Sequence, residues 1–440
     1  MPAINFAEIK SKTKDAVRSS LFKEFILFSF STFLVQGSRF TVSVIAAKNL
    51  GPSTWGIWQL LYLILAYSSF FHLGITNGMN REIPILSGRE DDQTINAIRS
   101  ITLGTILLAG AIAGAIIFGS SKLVEGGQIH IPLKFMILLL MAYLIYTYLE
   151  VYLRSSGWFK HMSQQQIFFS ITFLALVTPA VLKFHLNGYI LSQAAVLLLT
   201  IVFIFKITPV RLQIEFDFKQ SLRLIKIGFP IMIGMILFTF MTTADRWVIA
   251  TFLNLKELGY YSLSIMVLRG LTLIPRVISQ QIFPRLAKTW GSTSKYEDLI
   301  IWIRVHIVMC LCLTTPVVLL AFLFFPMLVR NYMPEFMPGI TAMKISLIVP
   351  FFFGLSTVFV NLLNIIGKQL QLMLIRGAAL LFNIVLNIIF VKMGLGINGI
   401  ALGTTLTFGL YCLAVAALGK SAIRNVQQKH YLKQIKAANV

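Results

Sequence analysis

Four arginines are the residues of this chain whose type and position point most directly to chemistry. Arg39, Arg246, Arg269 and Arg276 each lie about six to ten positions inside a long apolar stretch, too far from its ends for easy snorkelling. Placing them in hydrocarbon would cost about 2.5–3.5 kcal/mol each, and about 10–14 kcal/mol together. Because intramembrane cations line a protein-enclosed or water-filled path, we expect these guanidinium groups to bind an anion. Their planar forks suit phosphate oxygens, which accept two parallel hydrogen bonds.

Carboxylates are scarce in the stretches that hold these arginines. Asp245 is the only acidic residue deep in an apolar stretch, and one carboxylate cannot neutralise four cations. Two alternatives stay open for it: Asp245 pairs with Arg39 or Arg269 across a helix interface, or it forms a structural ion pair with Arg246. A surplus of positive charge remains in either case, and we include Asp245 with the arginines as a predicted substrate-site residue.

Three further cations lie closer to the ends of their stretches. Arg304, Lys344 and Arg376 are about four residues from an end, so snorkelling to the head groups is the favoured interpretation. They are retained as secondary predictions for the same site. Arg269 and Arg276 are seven positions apart, which places both on one helix face.

The elements that must position these residues are membrane-spanning helices. The 440 residues are 57% hydrophobic and only 12% charged, about half the charge of a soluble domain. Runs of about 20 apolar residues occur about twelve times, and each is long enough to cross about 30 Å of hydrocarbon. The runs at 228–252 and 259–283 carry three of the four deep arginines. The alternation typical of a membrane barrel is absent, so we predict an all-α polytopic membrane protein with about 12 transmembrane helices.

Charge predicts the orientation of these spans. Most of the 38 Lys and Arg residues fall in the two tails and in alternate loops, which the positive-inside rule places in the cytoplasm together with both termini. The net charge of +22 then reflects loops that face anionic lipid, and it requires no nucleic-acid partner. We therefore predict a multi-pass membrane protein with both termini in the cytoplasm.

The longest inward connection divides the chain into two halves of six spans. The predicted organisation is a basic N-terminal interfacial segment (1–23), a six-helix bundle (24–206), a cytoplasmic linker (207–227), a second six-helix bundle (228–418) and a basic cytoplasmic tail (419–440).

The two halves carry matching segments. The matches pair LGPSTWGIWQLL at 50–61 with LNLKELGYYSLS at 253–264, and LNGYILSQ at 186–193 with INGIALGT at 397–404. The first match aligns Gly56 with Gly259, and each pair falls in an outward turn of its half. Because six is an even number, both halves enter from the same side, which predicts a parallel repeat with a cleft between the bundles.

Catalytic, metal and nucleotide chemistry has little support in the sequence. Cys310, Cys312 and Cys412 lie in apolar spans without metal-ligand spacing, and no histidine pairs with a carboxylate or Cys in a ligand pattern. The GKS at 419–421 lacks the first glycine of a phosphate-binding loop and ends an apolar helix. We predict no cofactor, no metal and no enzymatic activity.

The chain resembles the Wzx-type O-antigen flippases, the polysaccharide-exporting branch of the multidrug/oligosaccharidyl-lipid/polysaccharide exporter superfamily. The segments that carry the resemblance are AKNLGPSTWGIWQL (47–60), HLGITNGMNREI (72–83), ADRWVIATFLNLKELGYYSLS (244–264), QQIFPRLAK (280–288), and the Asn383/Asn387 helix with GLGINGIALGTT (394–405). The resemblance implies a MATE-like V-shaped fold of two bundles around a cationic cavity. It also implies a cargo of undecaprenyl-pyrophosphate-linked oligosaccharide. The related lipid II flippases usually have two more helices, which this chain lacks.

Three functions follow from these observations. The leading hypothesis is a flippase for lipid-linked oligosaccharide, with H⁺ or Na⁺ as candidate coupling ions and other polysaccharide-assembly proteins as candidate partners. The second is an ion-coupled multidrug exporter of the same superfamily, which would need several buried carboxylates although only Asp245 is well placed. The third is a polysaccharide polymerase or ligase, which would need a larger extracytoplasmic loop than the sequence provides.

Overall fold

A computed structural model of the protein describes residues 6–87, 90–123, 130–210, 212–293 and 296–438. Throughout these ranges the secondary structure is helical and no strand occurs. Nine of the described helices are long and apolar enough to cross a membrane, and the bent pair Leu27–His72 and Ile75–Pro84 would make a tenth. The predicted class, an all-α polytopic membrane protein, is confirmed.

The chain divides into two compact units. Unit 1 contains the chain up to Asn49 together with Ile64–Ile233, and unit 2 contains Leu50–Leu63 together with the chain from Gly234 onward. The short segment Leu50–Leu63 thus belongs to unit 2, although its neighbours on both sides in sequence belong to unit 1.

Long helices build unit 1. They are α1 (Phe6–Ser68), a 3-10 helix (Ser69–His72), α2 (Ile75–Ser87), α3 (Asp92–Leu123), α4 (His130–Ser155), α5 (Phe159–Ile207) and most of α6 (Phe218–Met241). The 49 residues of α5 would extend roughly 70 Å as one straight helix, far beyond the hydrocarbon thickness. The backbone leaves helical geometry at His185 (φ 50°, ψ −135°), and a Cβ on Gly188 would overlap the carbonyl of Ala180. The chain therefore turns back on itself there, and α5 supplies two spans, as the sequence predicts.

The helices of unit 2 are shorter and more often interrupted. They are α7 (Ala244–Phe252), α8 (Leu255–Leu271), α9 (Leu273–Thr293), α10 (Tyr296–Tyr332), a 3-10 helix (Pro334–Gly339), α11 (Ile340–Ser346), α12 (Val349–Ile365), α13 (Gln369–Lys392) and α14 (Gly396–Ala438). Pro275 and Pro350 lie in the first turns of α9 and α12, where the missing N–H costs no helical hydrogen bond.

Two predicted continuous spans of unit 2 are broken. The run at 228–252 is interrupted at Thr242 and Thr243, between α6 and α7, and the run at 259–283 is interrupted at Thr272, between α8 and α9. All three threonine hydroxyls donate to carbonyls three or four residues earlier, at 2.7–2.9 Å. These bonds offer the backbone an alternative to helical pairing, and neither break contains a proline or glycine.

Two glycines let α1 and α8 approach closely within unit 2. A Cβ on Gly56 would overlap the carbonyl of Leu255, and a Cβ on Gly259 would overlap the carbonyl of Pro52. The contact is reciprocal, because Leu255 follows Pro52 by the same 203 positions that separate the two glycines. The alignment of Gly56 with Gly259 therefore corresponds to a physical contact between the aligned segments.

A buried amide network joins α13 to α14. Asn383 Nδ2 donates to Thr404 Oγ1 at 3.4 Å and to Thr407 Oγ1 at 3.2 Å, and its Oδ1 accepts from Asn387 Nδ2 at 3.0 Å. Asn383 and Asn387 are 1% and 0% exposed. In an apolar setting such paired amides fix the register of the two helices.

Candidate substrate site

Arg246 is the most deeply buried of the predicted site residues. It lies in the first turn of α7, directly after the break at Thr243, and is 7% exposed. Its Nε and Nη1 atoms are buried and have no hydrogen-bond partner. Because buried polar groups in native proteins are nearly always paired, two unpartnered donors on one guanidinium indicate a position built to receive an acceptor.

Asp245 does not supply that acceptor. Its Oδ2 accepts a hydrogen bond from Tyr261 Oη at 2.7 Å, and its Oδ1 accepts one from the backbone N–H of Arg246 at 2.8 Å. Asp245 attracts the Arg246 guanidinium electrostatically, yet it leaves the Nε and Nη1 hydrogens unbound. Its carboxylate is thus held at the start of α7, where the helix dipole also favours a negative charge.

Arg269 interacts electrostatically with both Arg246 and Arg276. It lies near the end of α8, is exposed, and its Cζ is 4.6 Å from the ring centroid of Tyr62. Its charge repels both Arg246 and Arg276. The Tyr62 ring belongs to the Leu50–Leu63 segment of unit 2, and its face offsets part of this repulsion by a cation–π interaction.

Arg276 lies in the first turn of α9 and is exposed, with its Cζ 5.6 Å from the ring centroid of Phe353. Thr272 keeps right-handed helical backbone angles (φ −71°, ψ −10°), and the backbone N–H of Arg276 donates to its carbonyl at 3.3 Å, so the shared face of Arg269 and Arg276 stays a prediction. The two side chains remain close enough to repel each other. Arg246, Arg269 and Arg276, here called the arginine cluster, therefore form one group of like charges.

The remaining predicted cations have other neighbours. Arg39 belongs to unit 1, is exposed, and has its Cζ 5.2 Å from the ring centroid of Phe169. Arg304 is exposed on α10, and the Lys344 ammonium lies 4.9 Å from the centroid of the Phe322 ring.

Arg376 does not extend freely towards an end of its span. It is half-buried on α13, where Nη1 donates to the carbonyl of Gly234 at 3.0 Å and Cζ lies 5.4 Å from the Phe238 ring centroid. The guanidinium is therefore tied to the second half of α6, and it fixes α13 against that helix. Its Nε atom is buried without a partner.

Sequence reasoning missed several residues of this region. Tyr62 and Tyr261 gave no signal because aromatic residues are frequent throughout the chain, and their contacts depend on tertiary structure. His306 was set aside as one of several scattered histidines, yet it is 0% exposed, and its Nε2 lies 3.1 Å from the carbonyl of Gly354 and 3.4 Å from Cys310 Sγ. The i, i+4 spacing of His306 and Cys310 could have indicated this contact.

Comparisons with known proteins identify the family. The family model described as "Polysaccharide biosynthesis protein" matches residues 46–335. The chain belongs to this family. It is also 20% identical over 353 residues to a Shigella flexneri protein named as an O-antigen transporter, a match that covers 76% of this chain and 82% of that protein.

Solved structures with the same fold are MATE-family and related transporters of the MOP superfamily. An outward-facing MATE multidrug-resistance transporter gives a TM-score of 0.66 at 14% identity, covering 92% of this chain and 96% of that chain. An inward-facing one gives 0.65 at 16% identity, with coverages of 91% and 95%. A MOP superfamily transporter from Pyrococcus furiosus, whose binding pocket is described as having reverse polarity, gives 0.65 at 13% identity, with 92% and 96%. At these identities the likeness establishes a MATE-like fold.

Proposed function

We propose that this member of the polysaccharide biosynthesis family is a flippase. It would move an undecaprenyl-pyrophosphate-linked oligosaccharide, an O-antigen or similar repeat unit, from the inner to the outer leaflet of the bacterial cytoplasmic membrane. The observation that carries the proposal is the buried Arg246 guanidinium, whose Nε and Nη1 lack partners beside two further arginines. Membership of the family and the named activity of the Shigella flexneri relative support the same cargo class.

A pyrophosphate fits the chemistry of the arginine cluster. Its two phosphate groups carry several acceptor oxygens and a multiple negative charge, so it would satisfy the Arg246 donors and relieve the repulsion around Arg269. Guanidinium–phosphate pairs are charge-assisted and often bidentate, which gives both strength and orientation. Arg246 lies in the first turn of α7, directly after the helix break that precedes Ala244, and transporters often bind their substrates at such discontinuous helices.

The proposal includes an alternating-access cycle with both termini in the cytoplasm and two six-helix bundles as the moving parts. In the alignment of the two halves, Arg39 corresponds to Thr242. Arg39 would contribute a guanidinium group to substrate binding from the first bundle. Coupling would use H⁺, Na⁺ or the membrane potential, which is worth about 2.3 kcal/mol per elementary charge at 100 mV. The oligosaccharide would occupy an aqueous cleft, and the polyprenyl chain would stay in lipid.

Replacement of the arginines tests this assignment. In a strain that lacks the chromosomal copy, Arg246→Gln, Arg269→Gln and Arg276→Gln should each abolish surface polysaccharide while protein abundance in the membrane stays normal. Arg330→Gln is the matched control, because Arg330 is an exposed cation in the last turn of α10 that is not a predicted site residue, and it should leave the polymer unchanged. Normal polymer output from all three cluster variants would refute the assignment.

The arrangement gives little support to export of cationic drugs. Asp245, the deep carboxylate, accepts hydrogen bonds from Tyr261 Oη and a backbone N–H, and the Arg246 guanidinium attracts it electrostatically. Unchanged drug sensitivity of the deletion strain, together with loss of surface polysaccharide, would separate the two functions.

A further inference from the structure

The two sides of α7 differ sharply in character. Asp245 and Arg246 are 5% and 7% exposed and belong to the polar region already described. The next residue, Trp247, is 37% exposed, and Phe252 at the end of the helix is 47% exposed. This second side borders a cavity of about 390 Å³, here called the α7–α13 groove.

The lining of the α7–α13 groove is apolar apart from one hydroxyl. The lining residues are Phe240 from α6, Ala244, Trp247, Val248, Thr251 and Phe252 from α7, and Leu380, Ile384 and Ile388 from α13. None of them carries a charge, and three are aromatic. The α13 residues follow one another at intervals of four, so they form a stripe about 12 Å long on one face of that helix.

The groove is accessible from the hydrocarbon side of unit 2. Leu381 and Val385, which neighbour the stripe on α13, are 66% and 55% exposed, so this helix presents much of its surface outward. In a membrane span, an exposed apolar surface faces lipid chains. A concave apolar surface such as the groove can pack around such a chain. An apolar ligand therefore reaches the groove laterally from the bilayer.

The groove and the arginine cluster adjoin along the chain. Arg246 and Trp247 are consecutive, and one helix about 10 Å in diameter separates the buried guanidinium from the groove. In a lipid with a pyrophosphate head and an apolar tail, the charged head and the first part of the tail are about this far apart. A phospholipid instead carries a single phosphate, which offers fewer acceptor oxygens and less negative charge to the arginine cluster than a pyrophosphate does.

We propose that the α7–α13 groove binds the head-proximal isoprene units of the cargo's polyprenyl chain while the arginine cluster holds the pyrophosphate. The inference rests on the proposed function and adds a tail-binding site to it. The branched isoprenoid chain contacts the faces of Phe240, Trp247 and Phe252 and the methyl groups of the α13 stripe. The groove then favours long polyprenyl chains over short ones, and the arginine cluster favours a pyrophosphate over a single phosphate.

The test measures binding of two ligands to purified protein in nanodiscs. One is undecaprenyl pyrophosphate, and the other is a short isoprenyl pyrophosphate whose chain ends before the groove. Ile384→Trp fills the groove and should weaken undecaprenyl pyrophosphate binding about tenfold, equivalent to about 1.4 kcal/mol. Its affinity for the short ligand should stay unchanged, which also shows that the variant is folded. Leu381→Trp, on the exposed neighbouring position, should bind both ligands as the wild type does.

Each outcome decides one proposal. Equal loss of both ligands in Ile384→Trp, or no loss of either, would overturn the groove assignment, and Thr251→Phe repeats the test from α7 if Ile384→Trp fails to fold. Displacement of a photoactivatable undecaprenyl pyrophosphate from the groove by phosphatidylglycerol at equal concentration would also overturn it, because the groove would then be an ordinary lipid site. If wild-type protein binds neither pyrophosphate, the proposed function itself fails.

Discussion

Replacing Arg246 by methionine should make the protein more stable and inactive. The substitution removes two buried donors, Nε and Nη1, that have no partner. An unsatisfied buried donor costs about 1–3 kcal/mol, so the loss of both favours the folded state by about 2–6 kcal/mol, and the buried Asp245 carboxylate left without its cation offsets part of this gain. Methionine keeps an unbranched apolar side chain that fills irregular space, so the cavity left behind should be small.

Two electrostatic effects of the substitution oppose each other. Removal of the Arg246 charge relieves repulsion from Arg269 and also removes an attraction felt by Asp245. Asp245 keeps its hydrogen bonds from Tyr261 Oη and from the backbone N–H at position 246. The double variant Arg246→Met with Asp245→Asn separates these effects, because it removes the carboxylate that the single variant leaves behind.

Thermal unfolding in detergent, followed by tryptophan fluorescence, measures the stability change. Arg304→Met is the matched control and should move the melting temperature little, because Arg304 is exposed. Added inorganic pyrophosphate should stabilise the wild type, by about 2.7 kcal/mol at one hundred times its Kd, and should have no effect on Arg246→Met. A lower melting temperature for Arg246→Met, with surface polysaccharide retained, would refute the reasoning, since Arg246 would then be a structural residue.

Three further predictions concern the scaffold. Gly259→Ala should lower the free energy of unfolding by about 1–3 kcal/mol or more, because its Cβ overlaps a carbonyl, whereas Gly377→Ala, with open space around it, should stabilise the helix by about 0.5–1 kcal/mol in the same thermal assay. Asp91 Oδ1 accepts from the third following backbone N–H at 3.1 Å, and these hydrogen bonds lower the pKa of its carboxyl. The Asp91 cap should therefore stabilise α3 above a pH of about 4, and this stabilisation should be lost as the pH falls through the lowered pKa of Asp91. Hydrogen exchange of the first turn of α3 measures the loss. Asp91→Asn should remove this pH dependence. Asn383→Leu leaves Asn387 without its acceptor and should cost about 1–3 kcal/mol in melting experiments.

Composition and depth predicted the class of fold and the residues worth testing, but they could not predict the local geometry. Apolar runs of membrane length leave few alternatives to helices, and the turn near His185 follows from the excess length of its stretch. The breaks at Thr242 and Thr272 were not predicted because threonine is common inside helices, and only tertiary contacts decide whether its hydroxyl replaces the helical pattern. The partners of Arg269 and Arg376 could not be predicted either. The depth of an arginine in its span does not indicate which aromatic ring or carbonyl group it contacts.

The paired glycines of α1 and α8 have a consequence for how this chain tolerates change. Gly56 packs against the backbone at Leu255, and Gly259 packs against the backbone at Pro52. The two glycines therefore form the two halves of one reciprocal helix contact. Identical subunits join in this manner across a two-fold axis. A larger residue at either glycine disrupts the same contact, so the second substitution should lower the stability little further. The stability effects of substitutions at the two positions should therefore be non-additive, although the positions are 203 apart in the sequence.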